Sequence, residues 1–83
     1  IDFSSYITIW PNPANDYLNV TLPKLMDEKV NLEIINMHGI AVMQQEASTR
    51  QSNHISIAHL PNGIYLVKVH YHNQVGYKKF IKQ

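Results

Sequence analysis

Hydrophobic residues stand at every second position along much of this 83-residue chain. The alternation is clearest over residues 18–22 and 30–34, where Leu, Val and Ile are separated by polar side chains. Successive side chains of a strand point to opposite faces of the sheet, so this spacing is typical of a strand with one buried face. Helical spacing of three or four residues is hard to find. The pattern therefore predicts two half-buried β-strands.

Turn signals separate these strands from five more. Proline lacks a ladder donor, glycine reaches backbone angles that side chains resist, and Asn and Asp favour turns. Such residues cluster at 11–16, 36–39 and 61–63, and residues 72–74 interrupt the last β-branched and aromatic stretch. The further strands are predicted over residues 6–10, 40–46, 55–57, 64–71 and 75–82.

Seven predicted strands, turns at fairly regular intervals and no predicted helix favour an all-β fold. We predict a seven-stranded antiparallel, Ig-like β-sandwich, with a β-barrel as the structural alternative. The facing of the last strand stays open, because Val75, Tyr77 and Ile81 share one parity while Phe80 has the other. A β-bulge in this strand would reconcile the two.

Composition limits the class of protein without giving a function. Eighty-three residues, of which 45% are hydrophobic, suit one small folded domain. Cysteine is absent, so no disulfide or thiolate–metal site staples the fold. No apolar run approaches the roughly 20 residues that span a bilayer, so no transmembrane segment is expected. The chain opens on Ile1 without a leader, and we expect it to be a piece of a longer precursor.

Positive charge is concentrated at the C-terminal end. The net charge of the chain is only +1, from seven Lys and Arg and six Asp and Glu. Residues 68–83 hold four lysines and no acidic residue, so this segment alone carries +4. So small a basic patch on a nearly neutral domain argues against a nucleic-acid partner.

Four short motifs follow one another along the chain. They are Trp10-Pro11-Asn12-Pro13-Ala14-Asn15-Asp16, Ile34-Ile35-Asn36-Met37-His38-Gly39, Leu60-Pro61-Asn62-Gly63-Ile64-Tyr65 and Lys79-Phe80-Ile81-Lys82. Each motif alone is weak. Together, in this order and spacing, they resemble the C-terminal sorting domain of cargo proteins of the bacterial type IX (Por) secretion system, in its type A form. The resemblance covers essentially the whole chain.

The resemblance implies a non-catalytic address label that needs no cofactor and no metal. Residues 1–83 would form a single sorting domain at the C-terminus of a larger secreted precursor. The precursor would enter the periplasm, where the type IX translocon and outer-membrane shuttle and sortase proteins would recognise the domain. In the family, a surface sortase commonly removes the domain and joins the cargo to anionic lipopolysaccharide. The cargo would finish at the outer-membrane cell surface or outside the cell. The resemblance implies no particular oligomeric state for the domain.

The terminal hairpin is the expected recognition element. An element at the end of the chain stays accessible on any cargo, and lysines interleaved with apolar side chains suit an acidic, partly apolar receptor groove. The residues assigned to recognition are Lys78, Lys79, Phe80, Ile81, Lys82 and Gln83. The residues assigned to structural support are Pro11, Asn12, Pro13, Asn15, Asp16, Gly39, Leu60, Gly63, Ile64 and Tyr65.

Other interpretations of the same residues stay open. Lysines on an edge strand can serve only to discourage aggregation. His70 and His72, two positions apart, could share a metal, although no nearby acid completes a site. Nothing holds a nucleophile against a base, so catalysis is not expected. The alternative functions are a carbohydrate- or protein-binding module with an aromatic platform of Trp10 and Tyr6 or Tyr17, and a retained cell-surface anchor.

Overall fold

Two antiparallel sheets pack face to face in a computed structural model that describes residues 3–83. The strands are β1 (Thr8–Trp10), β2 (Tyr17–Thr21), β3 (Lys29–Ile35), β4 (Ala41–Ser48), β5 (Asn53–Ser56), β6 (Gly63–Tyr71) and β7 (Gln74–Lys82). One sheet has the strand order β1-β2-β5 and the other β4-β3-β6-β7. The predicted all-β, seven-stranded antiparallel sandwich is therefore confirmed.

The core lies between the sheets and is built from the alternating apolar positions of both. The fully buried large side chains are Ile7, Leu18, Val20, Leu32, Ile34, Ile55, Ile57, Val67, Val69 and Phe80. Most polar and charged residues of the same strands lie on the two outer faces, together with exposed Trp10, Ile64 and Ile81. The period-two pattern thus reports burial directly, as expected for strands with one face on a core.

The N-terminal segment departs from the predicted strand over residues 6–10. Ser4–Tyr6 forms a short 3-10 helix, in which the Ile7 N–H donates to the Ser4 carbonyl at 3.1 Å, and β1 begins only at Thr8. Phe3 and Ile7 are both buried on either side of this turn. This turn places both side chains in the hydrophobic core.

The alternation in β7 runs without a bulge. Its pairing with β6 is continuous from Lys82 opposite Gly63 to Gln74 opposite Tyr71. Even-numbered positions such as Gly76 and Phe80 face the core, while odd-numbered positions face outward. The bulge considered from the sequence is therefore unnecessary. A register irregularity does occur elsewhere, between β3 and β4 at Ile34 and Ile35.

Gly76 allows the N-terminal segment to close over β7. A Cβ atom at this position would lie 2.7 Å from Ile7 Cδ1 and 3.3 Å from two ring atoms of Phe3. Both neighbouring side chains are buried, and a close-packed interior leaves them little room to retreat. The missing side chain at position 76 is thus a packing requirement.

We predict that Gly76→Ala lowers the free energy of unfolding by about 1–3 kcal/mol, because the added methyl overpacks the core. Urea unfolding monitored by circular dichroism measures this loss. Ile7→Val removes the Cδ1 atom that the methyl would meet and by itself costs about 0.5–1.5 kcal/mol. The double variant should lose less unfolding free energy than the sum of the losses in the two single variants. Simple additivity would contradict the close approach to Ile7 as the cause.

Candidate functional site

The first motif closes the free edge of β7 near the end of the chain. The Asn12 side chain behaves like a short piece of strand: its Oδ1 accepts from the Ile81 N–H at 2.9 Å, and its Nδ2 donates to the Lys79 carbonyl at 3.3 Å. Ala14 continues the pairing by donating to the Ile81 carbonyl and accepting from the Gln83 N–H, both at 2.8 Å. The last residues of the chain therefore lie between β6 and this segment.

The rest of the first motif forms the turn that brings Asn12 to β7. The Trp10–Pro11 and Asn12–Pro13 peptide bonds are both cis. The Asp16 carbonyl accepts from the Ile57 N–H at 2.9 Å, which joins the end of the turn to the residue that follows β5. Asn15 is exposed to solvent.

The second motif builds the tight turn between β3 and β4. Asn36 Oδ1 accepts from the His38 and Ile40 N–H groups at 2.9 and 3.1 Å, and the Asn36 carbonyl accepts from the Gly39 N–H at 3.0 Å. Gly39 has φ +79°, a left-handed conformation that favours glycine. The motif thus places Met37 at the tip of a fixed turn.

The third motif joins the loop before β6 to the core. The buried Tyr65 ring stacks on Phe80, with the ring centroids 5.5 Å apart, and its Oη donates to the Pro61 carbonyl at 2.6 Å. Leu60 is buried beside them. Gly63 has φ +158°, close to the extended region, and pairs with Lys82. Because Tyr65 and Phe80 come from different motifs, their contact fixes the third motif against the fourth.

Three motifs meet at one end of the outer face of the four-stranded sheet. Strand pairing aligns Ile35, Leu66 and Lys79 in one row across β3, β6 and β7. A shallow groove of about 330 Å³ lies there, which we call the motif groove. It is lined by Ile35, Asn36, Met37, Gly39, Ile64, Tyr65, Leu66 and Lys79. Ile81, opposite Ile64 on β7, extends this exposed apolar surface.

The other end of the same face is polar. A second groove of about 290 Å³ is lined by Asn31, Leu32, Glu33, Gln44, Gln45, Glu46 and His70. Glu33 accepts from Gln44 Nε2 at 3.0 Å and lies 3.5 Å from His70 Nε2. His72 instead lies in the β6–β7 turn with φ +54°, and its Nε2 is 3.5 Å from Asp27. The two histidines therefore have different partners, and residues 3–83 contain no cluster of three or more potential metal ligands.

The residues assigned to recognition do not form one continuous strip. Lys79, Ile81 and Gln83 are exposed and Lys78 is half-buried. Phe80 is 0% exposed and Lys82 is 7% exposed, with the Lys82 ammonium donating to the Gln83 carbonyl at 2.9 Å. Strand alternation thus divides this segment between the core and the outer face.

Sequence reasoning did not select Ile35, Met37 or Leu66, which line the motif groove. The residues before and after Leu66 in β6 face the core, so strand alternation directs Leu66 outward. Its outward position could therefore have been predicted from the sequence. Ile35 is different, because only the pairing of β3 with β6 brings it beside Leu66. Within the described residues, no helix has the length and apolar character needed to cross a bilayer.

Comparison with known protein families finds a match over most of the chain. Residues 8–83, which include all four motifs, match the family described as the secretion system C-terminal sorting domain. The chain belongs to this family. It is a non-catalytic sorting domain of the type IX (Por) secretion system, a secretion signal for translocation across the outer membrane. Cargo bearing the domain is exported, and the domain interacts with the secretion machinery. No curated protein matches the chain.

We predict that Asn12→Ala speeds exchange of the Ile81 amide hydrogen, because this N–H loses its acceptor. The protection free energy should fall by about 1 kcal/mol, as measured by NMR hydrogen exchange. Asn12→Asp should retain most of the protection, since a carboxylate oxygen still accepts from Ile81. The Gln83 amide, bonded to the Ala14 carbonyl, is the internal reference. Unchanged Ile81 protection in Asn12→Ala would contradict the proposed edge closure.

The Tyr65 hydroxyl offers a second test of how the motifs are joined. Tyr65→Phe keeps the ring on Phe80 but leaves the Pro61 carbonyl without its donor. We expect a loss of about 0.5–1.5 kcal/mol in unfolding free energy, measured by urea denaturation. Tyr77→Phe, which removes an exposed hydroxyl on the outer face, is the matched control and should change stability little. Equal effects of the two changes would argue against this hydrogen bond.

Proposed function

We propose that this chain is a type A sorting domain and that the secretion machinery contacts its motif groove. The supporting observation is that three of the four family motifs meet there, although they lie far apart in the sequence. The groove presents Ile64 and Met37 to solvent and is bordered by Ile81 of the terminal strand. An exposed apolar surface of this kind is a common mark of a contact site.

Lys79 gives the proposed contact its charge preference. It is the one charged side chain lining the groove, and within residues 3–83 no carboxylate lies in salt-bridge distance of its ammonium group. A partner surface with a carboxylate beside apolar side chains would complement it. Such complementarity speeds encounter and selects partners more than it raises affinity. Of the residues assigned to recognition, Lys79 and Ile81 therefore carry the proposal, and Phe80 serves the core.

The wider assignment follows from the family. We propose that residues 1–83, including Ile1 and Asp2 outside the described range, are the single C-terminal sorting domain of a larger secreted precursor. Its proposed partners are the type IX translocon and outer-membrane shuttle and sortase proteins. After passage through the periplasm, a sortase would remove the domain and join the cargo to anionic lipopolysaccharide. The cargo would then be at the outer-membrane cell surface or outside the cell. A surface protein with the full precursor mass would instead support a retained anchor.

The decisive experiment transplants the domain onto a reporter with an N-terminal export signal in a bacterium that has a type IX system. Deletion of residues 79–83 is a poor test, because it also removes Phe80 from the core. Point changes on the groove avoid this. Lys79→Glu and Ile64→Ser should each cause a several-fold rise in periplasmic reporter, measured by cell fractionation, because they reverse the groove's charge or interrupt its apolar surface.

Matched controls lie on the same sheet but outside the lining of the motif groove. Lys29→Glu makes the same charge change on β3, and Val42→Ser removes an apolar side chain that is 39% exposed, the same fraction as Ile64. Both should leave delivery at the level of the unmodified fusion. Normal delivery of folded Lys79→Glu and Ile64→Ser fusions would place recognition elsewhere. Loss of delivery in all four variants would indicate a general folding requirement.

A further inference from the structure

The outer face of the three-stranded sheet differs chemically from that of the four-stranded sheet. Strand alternation and burial place seven side chains there. They are Thr8 and Trp10 of β1, Tyr17, Asn19 and Thr21 of β2, and His54 and Ser56 of β5. The set holds aromatic, hydroxyl, amide and imidazole groups, with no carboxylate, ammonium or guanidinium group. The opposite sheet, by contrast, presents lysines and glutamates.

Two aromatic rings are exposed on this face. Trp10 is 43% exposed and Tyr17 is 42% exposed. Trp10 pairs with Asn19, and Tyr17 is two residues before Asn19 on the same strand, so the two aromatic residues are diagonal neighbours. The Tyr17 ring also lies 4.5 Å from the His54 ring, tilted by 30°. Flat ring surface thus extends over three adjacent strands.

Hydrogen-bonding groups stand in the same row as Trp10. Asn19 lies between Trp10 and His54, and its Oδ1 is 3.0 Å from His54 Nδ1. An amide oxygen only accepts, so Nδ1 carries the proton in this bond. The neutral imidazole then has Nε2 as an acceptor, and Asn19 Nδ2 has hydrogens to donate. A donor and an acceptor therefore stand beside the exposed rings.

We propose that this face binds a neutral polysaccharide, with sugar rings resting on Trp10 and Tyr17 and hydroxyl groups bonded to Asn19 and His54. A pyranose has C–H faces that suit an aromatic ring and a rim of hydroxyls that need both donors and acceptors. An anionic polymer would find no cation among these seven side chains. A protein partner is a poorer fit, because a stable protein interface takes roughly 20–30 residues a side.

The proposed polysaccharide site is separate from the motif groove, since the two occupy opposite outer faces of the sandwich. Sugar binding would therefore leave Lys79 and Ile64 accessible to the secretion machinery. The proposal does not rest on the sorting function, and either can fail without the other. It assigns a binding role to the three-stranded sheet that is distinct from sorting, although Trp10 also begins the first motif.

The single tryptophan of the chain makes the test direct. We would titrate the whole domain with soluble β-glucan, galactomannan and xylan while recording Trp10 fluorescence, and run affinity electrophoresis in gels containing each polymer. Polygalacturonate is the anionic comparator. We expect a saturable change in emission and retarded migration with at least one neutral polymer, and neither with polygalacturonate.

Variants separate this face from the rest of the surface. Trp10→Ala, Tyr17→Ala and Asn19→Ala should each weaken retardation by about tenfold. Tyr77→Ala is the matched control, because Tyr77 is 38% exposed on the other sheet, and should bind normally. Should Trp10→Ala fail to fold, Tyr17→Ala and Asn19→Ala still decide the question.

Three results would overturn the proposal. They are no response to any of the three neutral polymers, a response to polygalacturonate alone, and equal retardation of the Tyr17→Ala and Tyr77→Ala variants. The reporter fusion gives an independent readout, in which Tyr17→Ala should be exported normally. Failed export of a folded Tyr17→Ala fusion would count against the proposed place of sorting recognition and not against the sugar site.

Discussion

The last strand of the chain is held by hydrogen bonds along both of its edges, and the rest of the domain depends on this arrangement. β6 pairs with all nine residues of β7 on one side, while Asn12 and Ala14 bond to its C-terminal end on the other. A strand fixed in this way cannot rotate about its axis. Phe80 is therefore directed into the core, and Lys79 and Ile81 are directed outward. The division of the terminal residues between buried and exposed positions follows from the pairing.

The family motifs are better understood as parts of one assembly than as separate signatures. The first motif supplies Asn12 to the edge of β7, the third supplies Tyr65 to the ring of Phe80, and the second supplies the Gly39 turn that borders the groove. Their spacing in the sequence is set by the lengths of the strands that bring them together. A change in one motif should therefore be felt at the others.

The sequence was most informative where a single local rule applies. Period-two alternation located β2 and β3 because burial of one face is a local property, and the type IX resemblance agreed with the family match. The sequence left the facing of β7 open, since Gly76 gives an inward position no side chain to mark it and inward Lys82 resembles a surface residue. The 3-10 helix before β1 depends on Phe3 and Ile7 packing against β7, and the row of Ile35, Leu66 and Lys79 depends on strand register. Both are set by tertiary pairing and leave no local pattern.

The closed edge of β7 has a consequence for crowded transport. An open strand edge offers unpaired N–H and C=O groups to any other extended chain, including another copy of the same domain. Here a side-chain amide and one alanine fill those positions at the terminal end. A neighbouring copy that approaches this end of β7 thus meets an edge whose backbone groups are already bonded. The exposed side chains of β7 can therefore face a partner while the terminal edge of this strand stays closed to the same strand of another copy.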